Sequence, residues 1–244
     1  MIKFLSFVII LVAASLISPT LAEPHLSCKK CSIQDSECLT REAQEHLKQF
    51  TNGIPEYHIE KLDDMFIGTF EINADGVHHV LHNIKITGLG NAKINDISFD
   101  TYFKLIHISF DATLDINADY TIEGMFFAKP ISGEGTTTFT ARDIQIDLLI
   151  SYDINENENG KHRLVIKRYR SGFAIKDCVE YQYENLFNGD TEKGQVVNDL
   201  LNENWVTITN LFGRDFFSKI VDKVFNAIKT FGHSNYFEDI FLYR

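Results

Sequence analysis

The hydrophobic and polar positions of this 244-residue chain change period twice, and each change marks a different kind of structure. Leu39, Ala43, Leu47 and Phe50 recur at helical spacing, which predicts a short helix over 36–50 with Ser36 or Thr40 as its N-cap. Asn52-Gly53-Ile54-Pro55 ends it, because glycine suits a helix C-cap and proline cannot continue a helix. From Met65 to about Tyr183 the period becomes two. Phe66, Gly68, Phe70 and Ile72 share one parity, as do Val80, Ile84 and Ile86. The clearest run is Ile144, Ile146, Leu148, Ile150, Tyr152 and Ile154, with Gln145, Asp147, Ser151 and Asp153 between them. One apolar and one wet face is what a half-buried antiparallel strand requires. Ala74-Asp75-Gly76, Gly88-Leu89-Gly90, Lys129-Pro130 and the polar tip from Asn155 to Gly160 separate the runs.

From Asp190 the helical period returns. Val197, Leu200, Leu201, Trp205 and Ile208 lie on one stripe, and Phe216, Phe217, Ile220, Val221 and Val224 resume it. This predicts one long helix over about 191–231, kinked near Gly213. Its stripe is wide enough to need wrapping by other structure, and long alternating strands twist and curl. The fold class expected is α+β: a long C-terminal helix wrapped by a strongly curved antiparallel sheet, with an internal hydrophobic cavity or tunnel between them.

The first 22 residues read as a secretory signal peptide: Lys3, an apolar run from Phe4 to Ile17, then small residues around Thr20-Leu21-Ala22. The run is shorter than a membrane span needs. The expectation is a secreted, extracellular protein with one domain over 23–244 and no stable membrane insertion. A net charge of −11 argues against nucleic acid as a partner. In an oxidising compartment Cys28, Cys31, Cys38 and Cys178 allow three pairings. A local Cys31–Cys38 loop is preferred, leaving Cys28 and Cys178 to pair with each other or stay free. No second C-x-x-C follows to complete a metal site, and no βαβ pattern supports a redox one.

The motifs that remain resemble the takeout and juvenile-hormone-binding family of insects. They are Cys31-x6-Cys38-Leu39, GIPEYHIEKLDD at 53–64, TGLGNAKI at 87–94 and NLFNGDTEKGQVVNDLLNENW at 185–205. The resemblance implies a super-roll of the TULIP type, a Cys31–Cys38 bridge, and a monomer that carries a terpenoid such as juvenile hormone or another long-chain lipid. Some hormone carriers have a second disulfide in the later half, where this chain has only Cys178, which favours the takeout-like branch. Family members commonly have proline after Asp63, where this chain has Asp64.

Enzymatic chemistry finds no support: there is no G-x-S-x-G elbow, and the carboxylates alternate onto wet strand faces. No Gly-rich phosphate loop points to a cofactor. His78-His79-x-x-His82 reads as surface histidines, since side chains four apart on a strand are about 13 Å apart. Twenty Phe and nine Tyr suit an apolar cavity whose few hydroxyls meet a ligand's polar end. The wall residues expected on the strands are Phe99, Phe110, Leu114, Tyr120, Ile122 and Phe126, then Ile146, Ile150 and Tyr152. Those on the helix are Val197, Leu201, Trp205 and Phe216, with Tyr120 and Tyr152 as the hydroxyls facing the ligand. A signalling or partner-binding protein of feeding, circadian or chemosensory regulation, without a tightly held ligand, is the alternative.

Overall fold

A computed structural model describes residues 29–74 and 76–242. The signal-peptide reading and Cys28 fall outside the described residues. Strand β1 (Cys31–Ser32) leads into helix α1 (Ser36–Thr51), and a Cys31–Cys38 disulfide ties them together. The N-cap is Asp35, whose carboxylate accepts from Cys38 N at 3.0 Å, rather than Ser36 or Thr40. Cys178 has no disulfide partner among the described residues.

The sheet comprises β2 (Met65–Ala74), β3 (Val77–Thr87), β4 (Lys93–Asp100), β5 (Leu105–Phe126), β6 (Lys129–Glu156), β7 (His162–Ile175) and β8 (Val179–Tyr183). Its order is β2-β3-β5-β6-β7, with β4 on β5 and β8 on β6. β5 and β6 each change neighbours midway. β5 pairs with β4 over 105–111 and with β3 over 115–124; β6 pairs with β8 over 137–141 and with β7 over 144–156. The sheet therefore has two ends built from different strands. At about 3.3 Å per residue these two strands are too long to lie flat on a small domain, so they must coil.

The C-terminal helical segment is α2 (Thr191–Glu203), α3 (Trp205–Ile208), a π turn over Thr209–Gly213, and α4 (Arg214–Ser234). The break expected at Gly213 is therefore spread over two places: Asn204 leaves helical geometry, and a π turn precedes α4. Gly213 itself is helical, with φ −66°. Both edges of the sheet reach α4. Phe70 of β2 packs edge-on to Phe216 at 5.4 Å, while Phe173 of β7 meets Phe217 at 4.8 Å. A sheet whose opposite edges touch one helix is wrapped around it. Finally α5 (Phe237–Ile240) and β9 (Phe241–Leu242) return to pair with β1 in parallel.

Bulges change which parity faces inward. In β3 the buried residues run Val77, His79 and Leu81, then Ile84 and Ile86. The switch is at Asn83, φ +51°, where the β3–β5 register slips. Val80 thus does not share a face with Ile84 and Ile86. β2 switches alongside it, so Met65 is buried and Phe66 is 63% exposed. In β6 Ile131, Thr137, Phe139 and Ala141 face in, then Ile144 and its even successors, with Asp143 (φ +48°) at the switch. The β5–β6 hairpin turns at Phe127 and Ala128, both left-handed, rather than at Lys129-Pro130, which begin β6. Asp64 has φ +68°, a value closed to the proline that the resemblance leads one to expect after Asp63.

Candidate functional site

The sheet end formed by β4, β5 and β7 does not close on α4. A cavity of about 280 Å³ lies there, just below the roughly 300–1,000 Å³ common for small-molecule sites. α1 roofs it with Leu39, Ala43, Leu47 and Phe50, the four residues of its apolar stripe. The strands supply Ile94, Ile97, Phe99, Ile108 and Phe110, and α4 supplies Val224, Ile228 and Phe231. Ala43, Leu47, Ile97 and Phe99 point inward yet are only half-buried, because an open space lies against them. Polar groups are confined to Lys29, Glu42, His46 and Thr51.

Two short segments hold this cavity in shape. Asp63 accepts hydrogen bonds from Gly88 N at 2.7 Å and Gly90 N at 3.1 Å, which fixes the turn presenting Leu89 to the cavity. A Cβ at Gly90 would lie 2.4 Å from Asp63 Oδ2, so any side chain there would displace the carboxylate from this turn. The C-terminal strap closes the opposite wall with Ile240 and Phe241. Its latch is Glu238, which accepts from His162 N at 3.1 Å and lies 2.5 Å from His162 Nδ1, and whose backbone oxygen accepts from Lys30 Nζ at 2.6 Å. Tyr236 lies under Lys161 and Arg163 at 4.4 and 4.3 Å.

The other end of the sheet holds two smaller chambers of about 50 and 80 Å³, which share Ile72, His79, Tyr183, Ile208 and Phe212 as walls. Between the two ends the interior is solid. Ile86, Leu114, Ile146, Leu148 and Ile220 are at most 1% exposed and line none of these spaces. The interior is therefore divided rather than a single tunnel.

The expected wall residues divide accordingly. Phe99 and Phe110 line the main cavity. Ile122, Phe126, Val197 and Leu201 line one small chamber, and Phe216 the other. Leu114, Tyr120, Ile146, Ile150, Tyr152 and Trp205 line none of the three. The Tyr120 hydroxyl is already engaged, donating to Glu184 O at 2.7 Å, and burial pushes its pKa up to about 12. Tyr152 packs edge-on to Phe99 at 5.5 Å behind the cavity wall. His79 is a further correction: it is buried at 7% exposure and faces inward, whereas His78 is on the outside beside Glu71.

The α1 stripe was visible as a helix face, but nothing in its spacing separates a roof from an ordinary packed face. Two asparagines of the 185–205 motif also gain a role. Asn198 exchanges hydrogen bonds with Tyr183 N and O at 2.9 and 3.0 Å, and Asn202 does the same with Tyr181 at 2.7 and 2.9 Å. One helical turn apart, they satisfy the free edge of β8 and dock α2 over the small chambers.

Related proteins share this architecture. The crystal structure of Takeout 1 from Epiphyas postvittana superposes with a TM-score of 0.84 at 28% identity, covering 88% of this chain and 99% of that one. The juvenile hormone-binding protein of Manduca sexta is 34% identical over 155 residues, 61% of this chain and 62% of the relative. The circadian clock-controlled protein daywake of Drosophila melanogaster is 26% identical over 194 residues, 74% of each chain. Residues 6–242 match the family described as haemolymph juvenile hormone binding protein, and the chain belongs to that family, a family of hydrophobic-ligand binding proteins.

Proposed function

We propose that this protein is a secreted, monomeric, non-enzymatic carrier that takes a small hydrophobic molecule, a terpenoid or other long-chain lipid, into the main cavity. The observation that carries the reading is the 280 Å³ space walled almost wholly by aliphatic and phenyl groups. Burying about 300 Å² of apolar ligand surface there would contribute about 7 kcal/mol before ordering costs. An apolar recess of this size favours the carrier over a signalling protein with a filled core, because its hydrocarbon walls are what a greasy guest would cover. The Cys31–Cys38 bridge and the apolar N-terminal run support secretion, as does the word haemolymph in the family's description. The carboxylates gather in exposed ion pairs such as Lys85–Asp64 and Arg142–Glu180, which supports binding over catalysis.

Mass spectrometry of an organic extract of protein purified from its native source is the direct test. A lipid or terpenoid recovered in stoichiometric amount supports the carrier. An extract matching the blank, together with no saturable uptake of apolar probes by the purified protein, would count against it.

A further inference from the structure

His79 is a polar residue placed where an apolar one would pack more cheaply. On β3 it lies between its register partners Ile72 of β2 and Ile122 of β5, and it forms a wall of both small chambers. Its Nε2 is 3.4 Å from the Tyr183 hydroxyl. Its Nδ1 has no hydrogen-bond partner among the described residues. No sealed side-chain nitrogen or oxygen among those residues lacks a partner, so Nδ1 is accessible, on a residue that lines both chambers. Leu or Phe at this position would present no such atom to the interior.

The groups around it are uncharged. β8 brings Tyr181 and Tyr183, β5 brings Tyr120, and the π turn brings Thr209; β2 and α2 bring Phe70, Ile72, Val197 and Leu201. Neither chamber is lined by a carboxylate or an ammonium group. Burial, and secondarily His78 on the outer face, hold the His79 pKa down to about 4, so the imidazole is neutral near pH 7. The Tyr120 hydroxyl is engaged by Glu184 O, and the Tyr181 hydroxyl lies 3.3 Å from Thr209 Oγ1. Nδ1 is the ring nitrogen with no protein partner among the described residues, and the chamber hydroxyls keep spare lone pairs beside it. Each chamber exceeds the roughly 10–15 Å³ one water needs, so a guest's oxygen competes with water for Nδ1.

We propose that the chambers around His79 form a second binding site, separate from the main cavity, for a short-chain neutral molecule bearing one uncharged oxygen function. The oxygen hydrogen-bonds to His79 Nδ1, and the hydrocarbon packs on Ile72, Ile122 and Phe212. If the Tyr183 hydroxyl donates to Nε2, Nδ1 carries the proton and meets a carbonyl oxygen. If the hydroxyl accepts from Nε2–H, Nδ1 accepts from an alcohol. The site does not depend on the carrier reading of the main cavity.

The test uses 2-heptanone and 1-heptanol, with n-heptane as the reference, on full-length mature protein. The readouts are affinity and the ¹⁵N signals of the histidine that titrates near pH 4. The expected result is that one oxygenate shifts those signals and binds at least tenfold more tightly than n-heptane. His79→Phe, which keeps a ring of similar bulk, should abolish that preference, while Ala43→Trp in the main cavity should leave it intact. Equal affinity for all three compounds, unresponsive ¹⁵N signals, or a preference that survives His79→Phe would overturn the proposal. So would a ¹⁵N response lost in folded Ala43→Trp, because the guest would then sit in the main cavity. The wild-type ¹⁵N readout decides the matter even if His79→Phe does not fold.

Discussion

Filling the main cavity from its α1 roof should remove binding without removing the fold. Ala43 is half-buried on the inner face of α1, beside space rather than packed atoms. In Ala43→Trp an indole enters that space. A Trp side chain buries roughly 150–250 Å², and if about 100 Å² of this replaces ligand contact, the loss is about 2.5 kcal/mol at 25 cal/mol/Å². That corresponds to a Kd raised about 70-fold. The assay is titration with N-phenyl-1-naphthylamine, an uncharged apolar fluorophore. Trp205, the single native tryptophan, is half-buried on α3 and away from the cavity, so blue-shifted emission from the new indole reports its burial. The urea midpoint should stay near wild type, because the indole fills a void. By contrast Leu148→Trp, in the solid middle of the interior, should overpack at a cost of about 1–3 kcal/mol or more. Unchanged probe affinity in folded Ala43→Trp would refute the assignment of the ligand to this cavity.

Three further outcomes are expected. Asn198→Leu strands the backbone N–H and C=O of Tyr183 in a buried setting and should cost about 2–4 kcal/mol by urea denaturation, while surface Asn226→Leu costs little. His79 is depressed from 6.5 to about 4 in the folded state, so between those values the unfolded chain binds more protons. Its contribution to stability is therefore full above pH 6.5 and is lost as pH falls toward 4, on the order of 3 kcal/mol, and the acid limb between pH 7.5 and 4.5 should shrink in His79→Phe. Cys38→Ser opens the small Cys31–Cys38 loop and should lower stability by about 2.5 kcal/mol on the chain-entropy estimate, with hydrogen exchange rising first in β1 and β9.

Architecture was legible because period and length are properties of the chain. The even-numbered run from Ile144 to Tyr152 is buried, and the wide stripe on the C-terminal helix is wrapped. What escaped was set by single backbone angles. Asn83 adopts a left-handed φ and reverses which parity of β3 faces in, with β2 switching alongside, so alternation alone groups Val80 and Phe66 on faces they do not share; Asp143 makes the same reversal in β6. The candidate site was read in part, for a related reason. Phe99 on the cavity wall and Ile150 in the packed interior are both apolar strand residues, and only the distance to the opposite surface separates them. His79 looked like its neighbour His78 because alternation places adjacent residues on opposite faces without saying which face is inside.

The packed layer of Ile86, Leu114, Ile146, Leu148 and Ile220 has a consequence for selectivity by size. It is a floor against which a guest must stop. Along a homologous series each added methylene should strengthen binding by about 0.8 kcal/mol while room lasts. Once the chain end reaches the floor, further carbons must fold back or protrude, and the gain ceases. The packed layer, and not the side walls, would then act as the guest's ruler.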